Sequence, residues 1–397
     1  MRNTNKKGFT IVELVIVVTV IAILAAVLIP TFSSIINKAN QSADQQAVTN
    51  MNKLLATEAK ADDVDGVIEI LIKNNYAGDL TTYFAGYSLA WVKSENTIVL
   101  VEKNAIVYPA NLAGKDLAYD VINPMATDGE ALAGGLEDGK TVYVGDNVTV
   151  DGLAPEAAGD YIVKLNGNTL NASDVIGAWV ADAKIVVSNG VIDGSSITDD
   201  DGRVVVVYAS MGGSVELNNV QVVAPSDANT IQCYGGTMVL NNVTAAQTGN
   251  AELGYYNAAL QVVNGYGNNA HQKANVTING GVYSGKKAIQ LSSPGYTVVI
   301  NSGIFSGSEY AINMDGNGGY ANIEHNVTIN GGTFNGDIRV SHGTVDRDNG
   351  GTFDLVINGG TFNGNIVDTN GNILDANNFL GEGKTIINNA DGTWTVK

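Results

Sequence analysis

Four stretches, VTINGGVYSG (276–285), VVINSGIFSG (298–307), VTINGGTFNG (327–336) and LVINGGTFNG (355–364), align without gaps and decide the fold. Within each copy the side chains alternate. Val276 and Ile278 face one way and Thr277 the other, the period of two that belongs to a strand. Asn-Gly-Gly, or its equivalent, then turns the chain. A second short strand follows several copies: AIQL at 288–291, AINM at 311–314 and DIRV at 337–340. Weaker copies precede them, IVVSNGVIDG at 185–194, VELNNVQVVA at 215–224 and MVLNNVTAAQ at 238–247. The equivalent turn position runs Ser188, Asn218, Asn241, Asn279, Asn301, Asn330, Asn358. The spacing has a short minimum with irregular excess, as loops inserted into a constant turn produce.

Two or three strands per turn, separated by Gly-containing bends, predict a parallel β-helix. Leucine-rich repeats need a Leu-x-x-Leu-x-Leu spacing that is absent, and a propeller needs longer, more regular blades. A two-sheet sandwich gives each strand its own environment and predicts no such in-register identity. The repeat architecture resembles the right-handed pectin-lyase-like β-helix, without any catalytic motif of that group. Coils stacked ~4.8 Å apart set Asn279, Asn301, Asn330 and Asn358 above one another as an amide ladder. They likewise set Tyr283, Phe305, Phe334 and Phe362 in an aromatic column, read as core packing or, alternatively, as a platform for sugar rings. Open solenoid ends need caps. TDGEALAGGLEDGKTVYVGDNVTVDG (127–152) supplies a helix and first strands, and KTIINNADGTWTVK (384–397) a closing hairpin turning at Asp391-Gly392.

Composition agrees. Of 397 residues, 15% are charged, below the roughly 25% of an ordinary soluble domain. Gly is abundant at 47, which suits many short strands and tight turns. The net charge of −19 argues against a nucleic-acid partner, whose phosphates call for basic patches. The single cysteine, Cys233, excludes an intrachain disulfide and a Cys-based metal site. It alternates with Ile231 and reads as a buried thiol.

The N-terminus differs from all of this. Residues 1–8, MRNTNKKG, hold Arg2, Lys6 and Lys7 and no acid. From Phe9 to Ile29 follows FTIVELVIVVTVIAILAAVLI, whose one charge is Glu13. As a helix this run is ~30 Å long, enough to span a hydrocarbon core. Cations before it and acids after it place the N-terminus in the cytoplasm and the rest outside. A secretory signal would end in a small-x-small cleavage site, and nothing after Ile29 looks like one. A carboxylate this deep in an apolar helix costs several kcal/mol unless paired, so Glu13 calls for a partner. KKGFTIVELVIVV…LIP resembles the N-terminal signature of type IV pilins and pseudopilins. The resemblance covers under a tenth of the chain. It implies cutting between Gly8 and Phe9 by a prepilin peptidase, behind the basic Lys6 and Lys7, and N-methylation of Phe9. It also implies that Glu13 meets the N-terminal amine of a neighbouring pilin subunit, with Pro30 at the family's proline position.

Pro30 lacks an N–H and predicts a kink. Beyond it Ile36, Ala39 or Asn40, Ala43, Ala47, Met51, Leu54, Leu55 and Ala59 make an apolar stripe of helical spacing. It reads as packing on the protein's own head or against neighbouring subunits. DGVIEILIKNNYAG reads as a helix stopped near Asn74 and Gly78, and YSLAWVKSENTIVLVEKNAIVYP as two or three strands. The expected organisation is a leader (1–8), an assembly helix (9–60), a small mixed α/β head or linker (61–126) and the β-helix (127–397).

Candidates for chemistry on the solenoid are Asp199-Asp200-Asp201 with Arg203, Asp315, Asp337 with Arg339, and Asp346-Arg347-Asp348. Asp315, Asp337 and Arg339 stand out as a candidate ligand-binding set. Stacking of two such acids would matter because glycoside hydrolysis needs paired carboxylates; solvated loop acids are the plainer reading. Asp346-x-Asp348-x-Gly350 begins like a calcium loop but lacks the remaining ligands. His271, His325 and His342 are scattered, and Ser341-His342-Gly343 lacks the flanking residues of polygalacturonase-like sites. The expectation is therefore no catalytic residue, no metal and no cofactor. The first functional reading is a minor or tip pilin-like subunit, membrane-anchored before assembly and then extracellular. It would display a β-helix that binds glycans or host or cell surfaces. Alternatives are a tethered polysaccharide lyase or hydrolase, a pseudopilin of a secretion or DNA-uptake system, and a membrane-retained surface protein.

Overall fold

The computed structural model describes residues 11–122, 125–198, 204–249, 258–267, 270–292, 295–315, 325–340 and 353–397, with backbone alone at several positions, among them Pro30, His271, Asp315 and His325. The chain divides into two compact units, Met1–Met125 and Ala126–Lys397.

The first unit is built on one long helix, α1, Ile11–Leu55. The helix runs on through position 30 rather than ending there. Its C-terminal half packs on the unit's own antiparallel sheet, ordered 105–108, 97–102, 88–92, 120–121. The buried stripe is Asp44, Val48, Met51 and Leu55; it keeps the expected Met51 and Leu55 but takes Asp44 and Val48 in place of Ala43 and Ala47, and Ala43 and Ala59 are exposed. Asp44 explains the change. Its carboxylate accepts the backbone N–H groups of Tyr83 (2.8 Å) and Phe84 (3.0 Å) and so is buried without being orphaned. Just over two turns further on, Asn52 clamps Ile98, donating to its carbonyl at 2.8 Å and accepting from its N–H at 2.7 Å. A second helix, α2 (Val64–Lys73), starts at Asp63, whose side chain accepts the Gly66 N–H, and buries Val67, Ile68 and Leu71.

The second unit is a parallel β-helix with three stacked strand columns. The first column comprises 141–143, 159–164, 183–188, 214–218, 237–241, 274–278, 296–300, 325–329 and 353–357. The second runs from 148–150 through 169–172, 190–193, 220–223, 243–246, 282–285, 304–307 and 333–335 to 360–363. The third holds 176–178, 205–210, 229–234, 258–263, 287–292, 310–315, 337–340 and 366–367. Strands Ala274–Ser292 and Tyr296–Asp315 each pass through all three columns, with register shifts at the bends. Nine coils in the first column at about 4.8 Å per step give roughly 40 Å of stack.

Every second residue of each column points inward, so Ile, Val and Leu from all coils merge into one continuous core. Gly281 shows how tightly the bends stack: its φ is +101°, and a Cβ there would sit 1.9 Å from the Val243 carbonyl oxygen. The start of the stack is covered by α3, Gly129–Gly135, capped by Asp128 and anchored by buried Leu132. At the other end Trp394–Val396 pairs antiparallel with both Gly360–Asn363 and Ile386–Asn388. The last edge is thereby turned away from further parallel addition.

Candidate functional site

Two regions stand out, the N-terminal half of α1 and the outer face of the third column. In α1, Ile11, Val12, Leu14, Val15, Ile16 and their successors to Ile36 project exposed apolar side chains all round the helix. A helix apolar on every side requires an apolar environment, lipid or other helices. Glu13 sits in its first turn, where a carboxylate favours the helix dipole. Thr19 donates to the Val15 carbonyl at 2.7 Å and so satisfies itself within the helix. Among the described residues no helix is long and apolar enough to cross a membrane. The side chains of Ile23, Ala25, Val27 and Pro30 fall outside that set, although they belong to the same run of sequence. Gly8, Phe9, Lys6 and Lys7 also lie outside the described residues.

On the solenoid, the amide ladder is continuous. Asn218 donates to Ser188 Oγ at 3.4 Å, and Asn241, Asn279, Asn301, Asn330 and Asn358 each donate to the preceding Asn Oδ1 at 2.6–2.9 Å. The aromatic column stacks as well: Tyr283–Phe305 at 5.3 Å, Phe305–Phe334 at 5.0 Å, Phe334–Phe362 at 4.9 Å, and Phe362 on Trp394 at 4.1 Å. Tyr283, Phe305, Phe334 and Phe362 are buried, which rules out the sugar platform for this column. It is core, and burial pushes the Tyr283 phenol well above its ordinary range. Cys233 is core too: burial raises its thiol to about 12, and it contacts the Gly236 carbonyl at 3.2 Å. A thiol so held is a poor nucleophile at neutral pH.

Asp315 and Asp337 do not share a register position. Asp337 pairs in register with Tyr310 and accepts the Asn365 N–H at 2.8 Å. Asp315 pairs with Ser292, five positions along the strand from Tyr310, so strand register does not stack the two acids. Arg339 turns instead to Asn313 Oδ1 at 3.2 Å and lies over the Tyr310 ring at 5.7 Å from its centroid. The clusters at 199–203 and 346–350, and Ser341-His342-Gly343, lie outside the described residues. Among the described residues no three His, Cys, Asp or Glu side chains gather as a metal site. One clear ion pair is Lys184–Glu216 at 2.7 Å on the outside of the first column, where the lysine holds the glutamate below its usual range.

A second amide row was not anticipated. On the third column Gln232, Gln261, Gln290, Asn313 and Arg339 occupy one register position. They alternate with the inward Ile231/Cys233, Leu260/Val262, Ile289/Leu291, Ile312/Met314 and Ile338/Val340. Gln232 donates to Gln261, Asn313 donates to Gln290 at 2.7 Å, and Gln290 donates to Ser292 Oγ at 2.9 Å. Although outward by alternation, Gln290 is 1% and Asn313 2% exposed. The signal was present in AIQL, AINM and DIRV as a polar residue between two apolar ones, but their different side chains hide the repetition.

The family model described as "Prokaryotic N-terminal methylation motif" matches residues 3–29. No curated protein matches the chain, and neither does any solved structure. The chain therefore has a type IV pilin-like N-terminus, followed by a parallel β-helix.

Proposed function

We propose that the protein is a type IV pilin-like surface subunit that displays its β-helix for adhesion to glycans or to host or cell surfaces. In this reading a prepilin peptidase cuts between Gly8 and Phe9, and Phe9 is N-methylated. The helix is held in the cell membrane, with the following units outside, until it enters a filament. There Glu13 receives the N-terminal amine of a neighbour, an opposite charge that offsets the cost of a carboxylate in an apolar helix. The observation that carries the reading is the coincidence of the methylation motif at 3–29 with a helix start that is apolar on all sides. The size of the second unit favours a minor or tip position over one repeated along a thin fibre. The solenoid binds rather than cleaves, in keeping with the divergent registers of Asp315 and Asp337.

Replacing Gly8 should leave a precursor heavier by the leader, read by mass spectrometry of the membrane fraction. Glu13→Ala should process normally yet vanish from sheared filaments. Normal incorporation of that variant, or an unchanged mass after the Gly8 substitution, would sink the proposal.

A further inference from the structure

Aromatic side chains divide sharply within the solenoid. Tyr143, Tyr161, Tyr283, Tyr296, Phe305, Phe334 and Phe362 are buried. Among the described ones left partly open, Phe379 and Trp394 belong to the C-terminal closure. The others, Trp179, Tyr208, Tyr234 and Tyr310, all lie on or directly beside the third column. Trp179 follows Ala178 at the end of its strand and is 39% exposed. Tyr208 pairs in register with Gln232, and its ring stacks on Tyr234 at 6.4 Å with 22° between planes. Met211, next along the same edge, is 52% exposed.

Large aromatic groups are ordinarily buried on folding, and their retention at one surface marks a contact site. Here the neighbouring polar groups are amides. From Tyr208 through Gln232, Gln261, Gln290 and Asn313 the register row carries no charge until Arg339. An uncharged row in a chain of net charge −19 fits a neutral, hydroxyl-rich ligand better than an anionic one. Gln232, in register with Tyr208, is fixed by its donation to Gln261, so the part-exposed rings flank a preorganised polar group. Strand stacking also repeats contact groups at about 4.8 Å, which suits an extended polymer more than a compact molecule.

We infer that the outer face of the third column around Trp179, Tyr208 and Tyr234 binds a neutral polysaccharide chain, with the rings stacking on sugar faces. This rests on the display reading above and names its ligand class and its contact residues. It is distinct from the candidate set Asp315, Asp337 and Arg339.

The test uses the full chain in detergent micelles, titrated with neutral hexasaccharides (cello-, xylo- and manno-series) and with oligogalacturonate, by calorimetry. A neutral series should bind, and Trp179→Ala or Tyr234→Ala should each weaken it about tenfold. Trp179→Phe and Tyr234→Phe keep an aromatic face and should retain most of the affinity. Unchanged melting of the alanine variants would assign their loss to the surface. Binding of oligogalacturonate alone, or alanine variants that bind like the parent, would overturn the site. So would a failure of every neutral series. Incorporation of Glu13→Ala reads the assembly proposal separately, so either idea can fall without the other.

Discussion

The bend between the first and second columns and the two edges of the third column belong to the same coils but have opposite characters. At the bend, Asn218 to Asn358 form one unbroken ladder, and Asn-Gly or Asn-Asn follows the strand in almost every coil. At the edges of the third column the segments between strands vary from a few residues to a dozen or more, as in 224–228 against 316–324 and 341–352. The contrast follows from hydrogen-bond accounting. A ladder amide both donates and accepts along the stack, so an extra residue at the bend breaks two bonds, whereas a loop at an edge leaves the column registers intact. Constancy marks the bend as structural and variability marks the third column as the place where specific chemistry can be added.

That contrast can be broken most forcefully by insertion. Five Gly/Ser residues between Asn279 and Gly280 should cost more than about 5 kcal/mol, by combining a lost ladder step with lost core register. The same five residues between Ser226 and Asp227, in the edge loop, should cost about 1 kcal/mol or less, as loop lengthening does. Equal melting temperatures would refute the distinction. Next in size, Phe334→Ala removes the middle of the buried aromatic column and should cost about 3–5 kcal/mol in denaturant titration, whereas half-buried Tyr310→Ala at the third column should cost under about 1 kcal/mol.

The two amide rows offer a finer comparison. Gln290→Ala leaves the buried Asn313 Nδ2 without its acceptor and should cost about 1–3 kcal/mol. Exposed Asn330→Ala lets water replace its partners and should cost about 1 kcal/mol. A larger loss at Asn330 would make the outer ladder the stronger element. The smallest effect concerns Cys233. Iodoacetamide at pH 8 should leave it unlabelled in the folded chain and label it after denaturation. Its folded thiol titrates near 12 against an ordinary 9.0, so the unfolded chain ionises first. Its contribution is complete below pH 9 and is lost as pH climbs toward 12.

Much of this was legible in the chain. VTINGG and its copies announce the first column, the Asn bend and the aromatic core together, because each coil presents the same environment at those positions. The opening coils were harder to see: in 159–172 the bend reads Leu165-Asn166-Gly167-Asn168, and Asn166 and Asn168 bond back to the Val144 carbonyl instead of joining the ladder. The apolar stripe of α1 holds at Met51 and Leu55 but shifts by one residue at Asp44 and Val48, because a buried Asp44 is invisible to hydrophobic periodicity. The third-column row escaped notice for a similar reason. Its Gln, Asn and Arg look like solvent-facing strand residues, and only the three-dimensional stack shows Gln232, Gln261, Gln290 and Asn313 buried, with Gln232 bonded to Gln261 and Asn313 to Gln290. The methylation motif lay open in the sequence because peptide recognition, unlike packing, is local.

The two closures of the solenoid are separate pieces of chain, α3 at the start and the antiparallel 386–396 hairpin at the end. Each inner coil bonds chiefly to the coil above and the coil below. Whole coils can thus be added or removed between the closures with both ends left as they are. The stack has an adjustable length, set by counting coils, and each added coil lengthens the third column by one more position for a ring or an amide.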